Sequence, residues 1–213
     1  MVLSLGYDIN VHPIQVGIDE SGRGTLLGPV FAAAVILDPN IAVHPEINDS
    51  KKLSRKKRAK LRSWIEENAM AWSISYRDAA IIDKINILNA TQEAMEESLF
   101  NVYSKLHLTP PSLCLVDGDR YYGKCPQNVE IMTIEHGDAK YANIAAASIL
   151  AKEYHDEFIR KLIVDHPELL DYDLESNQGY CTPRHIMAIQ KHGYTEFHRS
   201  TFSKVKECTR RKS

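Results

Sequence analysis

The chain has 213 residues, 26 lysines and arginines against 28 aspartates and glutamates, a net charge of −2 and 44% apolar residues. A chain of this size buries about 70% of its unfolded surface, so neither a disulfide framework nor a structural metal is needed to hold it. Cys114, Cys125, Cys181 and Cys208 form no C-x-x-C pair, which excludes a zinc cage of the usual spacing and suits a reducing compartment.

From the amino end, Met1 to Gln15 lacks a basic region followed by an apolar one, and the longest apolar run, Val30 to Leu37, is too short to cross a bilayer. A cytoplasmic protein without a membrane partner is expected. Val16-Gly17-Ile18, an acidic and glycine-rich connection, and Pro29 to Leu37 read as strand, turn, strand, the second run apolar enough for a buried sheet. Ser54 is placed to cap a helix whose Leu61, Trp64, Ile65 and Ala69 share one face, and Trp72 to Tyr76 reads as a third strand. Ile81, Ile85, Leu88, Gln92, Met95, Leu99, Val102 and Leu106 advance in steps of four and three, the face of one long helix stopped by Pro110-Pro111. Leu113 to Val116 and Val129 to Ile134 are two further strands. Asp138 would cap a helix through Ile144, Ile149, Phe158 and Leu162, ending near Pro167, and one more helix follows Thr182-Pro183 before a basic tail from Lys204 to Ser213. Strands alternating with helices predict an α/β sheet. The division expected is a catalytic domain over 1–168 and a helical segment over 169–213 packed on it.

Asp19 and Glu20 end the first strand, Asp117 ends the fourth, and Asp138 stands at a helix start. Ligand sites of open α/β sheets gather where strands end, so these acids can converge. Converging carboxylates stay ionised together only around positive charge, and oxygen donors without nitrogen or sulfur suit Mg²⁺ or Mn²⁺. Each acid also has a plain reading: Asp117-Gly118 as a turn, Asp138 as a cap, Asp19-Glu20 as a solvated strand end. Gly22-Arg23-Gly24 either permits a tight connection or lets the backbone approach a ligand while Arg23 holds a phosphate. Lys51, Lys52, Arg55, Lys56, Lys57, Arg58, Lys60 and Arg62 put eight of the 26 basic residues into twelve positions without an acid. Setting those eight aside leaves the remainder at −10, a polarity suited to holding a polyanion's backbone, although such a run is also an ordinary solvated helix face. Tyr180, on a loop before a helix, could equally anchor the last segment to the core.

Read together, these residues resemble the type 2 ribonucleases H, the ribonuclease HII family, over nearly the whole chain from Gln15 to Phe202. The resemblance is carried by Gly17-Ile-Asp-Glu-Ser-Gly-Arg-Gly24, Leu27-Gly-Pro-Val-Phe-Ala-Ala-Ala-Val35, Asn48-Asp-Ser-Lys-Lys-Leu53 and Ile85-Asn-Ile-Leu88. It continues through Val116-Asp-Gly118, Gly137-Asp-Ala-Lys140, Ile144-Ala-Ala-Ala-Ser-Ile-Leu-Ala-Lys152, and Gly179-Tyr180 with Thr182. It implies a mixed five-stranded α/β sheet of the ribonuclease H type, flanked by helices, with a small helical C-terminal portion. The implied activity is endonucleolytic hydrolysis of RNA in RNA–DNA hybrids and cutting 5′ to single ribonucleotides in duplex DNA, leaving 3′-hydroxyl and 5′-phosphate ends, as in primer and ribonucleotide removal.

By the same resemblance Asp19, Glu20, Asp117 and Asp138 are the catalytic, metal-binding acids, holding two Mg²⁺ or Mn²⁺ ions. Gly22, Arg23 and Gly24 read the ribose 2′-hydroxyl, the group that separates RNA from DNA. Tyr180 stacks on the following deoxyribose, Lys51 and Lys52 hold phosphate, and Ser148 and Lys152 are further substrate contacts. The implied partners are RNA–DNA hybrid and ribonucleotide-containing duplex, met by a monomer, with no protein partner assigned. Ser21, Thr25, Asp119, His136, Gln178 and Cys181 depart from the family pattern, which has alanine and proline around the first glycine motif and lysine and proline around the tyrosine. Three rivals stand beside this reading: a type 3 ribonuclease H, a transposase or resolvase of related chemistry, and a binding module that uses only the lysine-rich helix.

Overall fold

Strand β2, Val30–Leu37, is buried at every residue, and its side chains alternate between two helical layers. Ala33, Val35 and Leu37 point to the layer of helices α1, Arg55–Asn68, and α3, Ala142–Asp165. Ala32, Ala34 and Ile36 point to the opposite layer, helix α2, Ala79–Ser104. The computed structural model describes residues 2–106 and 110–211. The sheet has five strands in the order β3-β2-β1-β4-β5, where β1 is Gln15–Ser21, β3 Ala69–Arg77, β4 Leu113–Asp117 and β5 Glu130–Ile134. β1–β2 and β2–β3 are antiparallel, whereas β1–β4 and β4–β5 are parallel. This is the mixed, helix-flanked α/β sheet that the motifs imply. Of the tail, Lys212 and Ser213 lie outside the described residues.

Three details depart from the sequence reading. The long helix does not present one continuous stripe: Ile81 and Leu88 are exposed, and the buried face runs through Ile82, Ala90, Ala94, Met95 and Leu99. The cause is a break at Asn86, φ 67° and ψ 163°, whose side-chain oxygen accepts from the Asn89 amide at 3.0 Å and starts a new helical phase. Asp138 does not cap α3. It lies in a separate 3-10 turn, Gly137–Ala139, because the amides of Lys140 and Tyr141 bond back to the Gly137 carbonyl before the helix begins. The first amides of α3 are satisfied instead by the carbonyls of Ser4 and Leu5. The basic run, finally, is not one free patch. Arg58 pairs with Glu153 and Asp156 at 2.8 and 3.2 Å, Arg62 with Glu66, Lys57 with Glu46, and Lys52 with Asp49. These acids face the run from outside it, which a window confined to residues 51–62 does not show.

Two features bring the layers to the site. Gly17 lets α3 lie hard against β1: a Cβ there would collide with the Asn143 backbone, and the Asn143 side chain ties the same point to Leu37 and Leu5. After α3 come a 3-10 turn Pro167–Tyr172, the short helix α4, Leu174–Asn177, and helix α5, Pro183–His192, which Thr182 caps. Leu169, Tyr172, Leu174, Ile189 and Val205 form one core with Leu26, Leu27 and Ile159, so this segment packs on the β1–β2 connection and the outer half of α3.

Candidate active site

Because β1 and β4 run parallel with Ile18 opposite Val116, their carboxyl ends emerge side by side and carry Asp19, Glu20 and Asp117. Alternation along β1 splits the first two. Asp19 shares a strand face with Ala33 and looks toward α3, whereas Glu20 shares one with Ala32 and looks toward α2. The Asp117 carboxylate accepts from the Gly137 amide at 2.7 Å, which ties the end of β4 to the turn that carries Asp138. His136 enters that turn in the left-handed region, φ 55°.

The electrostatics show that the four acids share one field. Burial, with Glu20 and Asp117 adding to it, pushes Asp19 well above the ordinary carboxyl range. Burial also raises Glu20, opposed by Arg23 at 3.6 Å and reinforced by Asp117. Asp138 is pushed up to about 6 by burial, Asp117 and Asp49. Lys51 answers this field: burial alone would lower it, but Asp19, Asp138, Asp49 and Asp117 together raise it. Lys52 instead turns to Asp49 at 3.5 Å and stays exposed. Ser148 is buried, bonds Ser50 at 2.9 Å and acts on Asp19 against its burial, so it links the lysine turn to the acids.

Asp49 is the acid that sequence reasoning passed over. Its side chain accepts from the Lys51 amide at 2.9 Å, and its charge adds to the field that raises Asp138. The available signal was an aspartate directly ahead of the basic run. Among the described residues no three His, Cys, Asp or Glu side chains are already gathered as a complete ion cage. The case for a cation rests on donor chemistry: buried oxygen donors that repel one another, with no thiolate or imidazole among them.

Beside the acids, a cleft of about 270 Å³ is lined by Glu20, Arg23, Gln92, Asp117, Asp119 and Arg120. Asp119 pairs with Arg120 at 2.9 Å, and both are exposed. The connection Gly22–Gly24 forms the rim. Gly22 has φ 83°, and a Cβ there would lie 2.5 Å from the His155 ring, so glycine is required both for the turn and for the contact. Thr25, where the family pattern has proline, closes the turn through a hydroxyl donated to the Gly22 carbonyl at 2.9 Å. Gly179 and Tyr180 lie against this rim: Leu26 donates to the Gly179 carbonyl at 2.8 Å, and Thr25 and Tyr180 form an isolated bridge. The Lys152 ammonium stands 4.9 Å from the centre of the Tyr180 ring and donates to Asp156 at 2.8 Å. A second residue passed over is Arg199, fully buried beneath the rim and donating to the carbonyls of Gly22, Arg23 and Gly28. No local pattern marks it, since its partners are main-chain atoms far away in sequence.

Comparison with known proteins fits this arrangement. The family model for Ribonuclease HII matches residues 16–205. A curated relative, "Ribonuclease HII" of Bacteroides fragilis, is 45% identical over 195 residues, covering 92% of each chain. Among solved structures, the ribonuclease H2 from Pyrococcus horikoshii OT3 superposes with a TM-score of 0.70 at 24% identity, over 91% of this chain and 96% of that one. Bst ribonuclease HIII, in a crystal structure with Mn²⁺, gives 0.69 at 16% identity over 97% of this chain but only 70% of its own. The fold is thus common to types 2 and 3, and the family match with the level of identity decides between them. The chain belongs to the ribonuclease HII family, endonucleases that degrade the RNA of RNA–DNA hybrids.

Proposed function

We propose that this ribonuclease H also incises duplex DNA 5′ to a single embedded ribonucleotide, leaving 3′-hydroxyl and 5′-phosphate ends, and so serves primer and ribonucleotide removal. The observation that carries the reading is the common field of Asp19, Glu20, Asp117 and Asp138 at the parallel strand ends, beside the rim where Gly22–Gly24 meets Tyr180. A cutting site and a ribose-reading surface are then adjacent.

The four acids fit a hard divalent cation, and Mg²⁺ or Mn²⁺, two ions during turnover, would supply Lewis-acid charge to the attacking water and the departing 3′-oxygen. The acids hold that charge against the scissile phosphate, so no side-chain nucleophile is needed. Lys51 balances the acids and presents an ammonium to phosphate, with Lys52 one residue further out. Arg23, which reaches back to Glu20 but is half exposed, can swing to a phosphate oxygen. The main chain of Gly22–Gly24 hydrogen-bonds the 2′-hydroxyl, and the Tyr180 ring, backed by Lys152, stacks on the next deoxyribose. Ser148 acts from behind, by keeping the Lys51 turn on Asp19.

The test is cleavage of a duplex with one ribonucleotide, with and without divalent metal, product ends mapped and an all-DNA duplex run beside it. Metal-dependent cutting at the 5′ side of the ribonucleotide is expected, with Asp138→Asn slower by about 100-fold or more. Equal rates for wild type and Asp138→Asn, or cutting of the all-DNA duplex, would refute the proposal. Binding without any metal-dependent product would leave only the binding-module reading.

A further inference from the structure

Arg199 is fully buried, yet no carboxylate pairs with it among the described residues. Its three nitrogens each donate to a backbone oxygen: Nη2 to Gly22 at 2.7 Å, Nη1 to Arg23 at 2.9 Å and Nε to Gly28 at 2.9 Å. All three acceptors belong to the single connection between β1 and β2. The segment that carries Arg199 is itself clamped on both sides. Leu27 bridges His198, Gly28 donates to the Phe197 carbonyl, and Arg199 donates to the Leu26 carbonyl. Ser200 and Thr201 each give Asp83 a backbone and a hydroxyl hydrogen bond. A buried guanidinium is costly unless its nitrogens find acceptors, and here each nitrogen finds a carbonyl of the β1–β2 connection.

The consequence follows from the planarity of the peptide unit. In a trans peptide the C=O of one residue and the N–H of the next point in opposite directions. Drawing the Gly22 carbonyl inward turns the Arg23 N–H outward, and drawing the Arg23 carbonyl inward does the same for the Gly24 N–H. Arg23 and Gly24 are exposed, and neither amide donates to a backbone acceptor among the described residues. We infer that Arg199 is the positioning residue for ribose recognition, setting the peptide units of residues 22–24 so that two adjacent amides face the 2′-hydroxyl and its phosphate. This rests on the proposal that the Gly22–Gly24 rim meets the ribose. It adds that the rim's selectivity is imposed by a guanidinium that never touches the nucleic acid.

The test compares Arg199→Met and Arg199→Lys with wild type in one assay, measuring kcat/KM on a duplex with one ribonucleotide and the inhibition constant of an all-DNA duplex as competitor. Arg199→Met is expected to lose about 100-fold in kcat/KM, as misplaced binding groups do, while the inhibition constant stays within about threefold because the phosphate contacts of Lys51, Lys52 and the basic face of α1 lie away from residues 22–24. Arg199→Lys, which keeps the charge but not the three-way fork, should fall between. A merely structural role predicts that both constants worsen together, and that result, or unchanged kcat/KM, overturns the inference. Amide exchange of the wild-type protein gives a reading independent of any variant: the Arg23 and Gly24 amides should exchange fast, and slow exchange at either overturns it. If wild type itself does not favour the ribonucleotide duplex, the ribose-reading proposal fails. If wild type does and both variants keep its constants, only the role of Arg199 fails.

Discussion

At the scale of the residue, the acids carry a cost that the fold retains. Asp19, Glu20 and Asp138 all hold protons more tightly than free carboxyls do, with burial as the first cause in each. A carboxyl whose pKa is higher folded than unfolded leaves the native state holding more protons, so its contribution makes stability fall as pH rises from about 4 through the folded value. For Asp138 that window runs from about 4 to about 6. In chelator, Asp138→Asn is therefore expected to melt higher than wild type at pH 7.5, by on the order of 1–2 kcal/mol or roughly 2–8 °C. The gain should vanish near pH 4. Adding Mg²⁺ should raise the melting temperature of wild type more than that of the variant, reversing part of the difference. Thermal melts at two pH values, with and without the ion, check all three statements. A variant that melts lower at pH 7.5 in chelator would mean that the Asp138 carboxylate stabilises the fold.

At the scale of the element, Asn86 decides whether α2 is read correctly. Its φ and ψ lie where side chains are strained, and its own carboxamide caps the helix that resumes at Ile87. Asn86→Ala keeps the strain and loses the cap, and should cost about 1–3 kcal/mol. Asn86→Gly relieves the strain while losing the cap and should come out within about 1 kcal/mol of wild type. Denaturant unfolding distinguishes these, and equal losses in both variants would count against the strain. The strands were legible because Val30 to Leu37 and Leu113 to Val116 are apolar runs with turn residues at their ends. Ser54 was legible as a cap, and the helix after Thr182-Pro183 by its start, for the same local reason. The phase of α2 was not legible, since steps of four and three continue across Asn86 in the sequence while the backbone turns there. Asp138 looked like a cap because an acid before an apolar run usually is one, and the intervening turn depends on bonds from Lys140 and Tyr141 that no spacing announces.

At the scale of the whole molecule, the charge polarity of the sequence is largely internal. Arg58, Arg62, Lys57 and Lys52 are held in ion pairs with acids outside the four of the site, leaving Arg55, Lys56 and Lys60, with Lys51 and Arg23 beside the site acids, to face a polyanion. The salt dependence of duplex binding should reflect that smaller set. A slope of log K against log salt near −4 to −5 is expected, rather than the value near −7 that eight free cations would give. Fluorescence anisotropy over a salt series measures it, and a slope of −7 or steeper would show that the internal pairs open on binding. The placement of Asp19, Glu20 and Asp117 was legible because each stands at the end of a strand. The support beneath the rim was not, because Arg199 acts through main-chain carbonyls from 171 to 177 positions away. That separation has a consequence for synthesis. Every carboxylate of the site has been made once Asp138 has left the ribosome, whereas the guanidinium beneath residues 22–24 comes 61 residues later. A chain cut short between those two points would carry the site's carboxylates without the group that aims the rim, and Leu26 and Leu27 would lose some or all of the apolar partners that residues 169–205 supply.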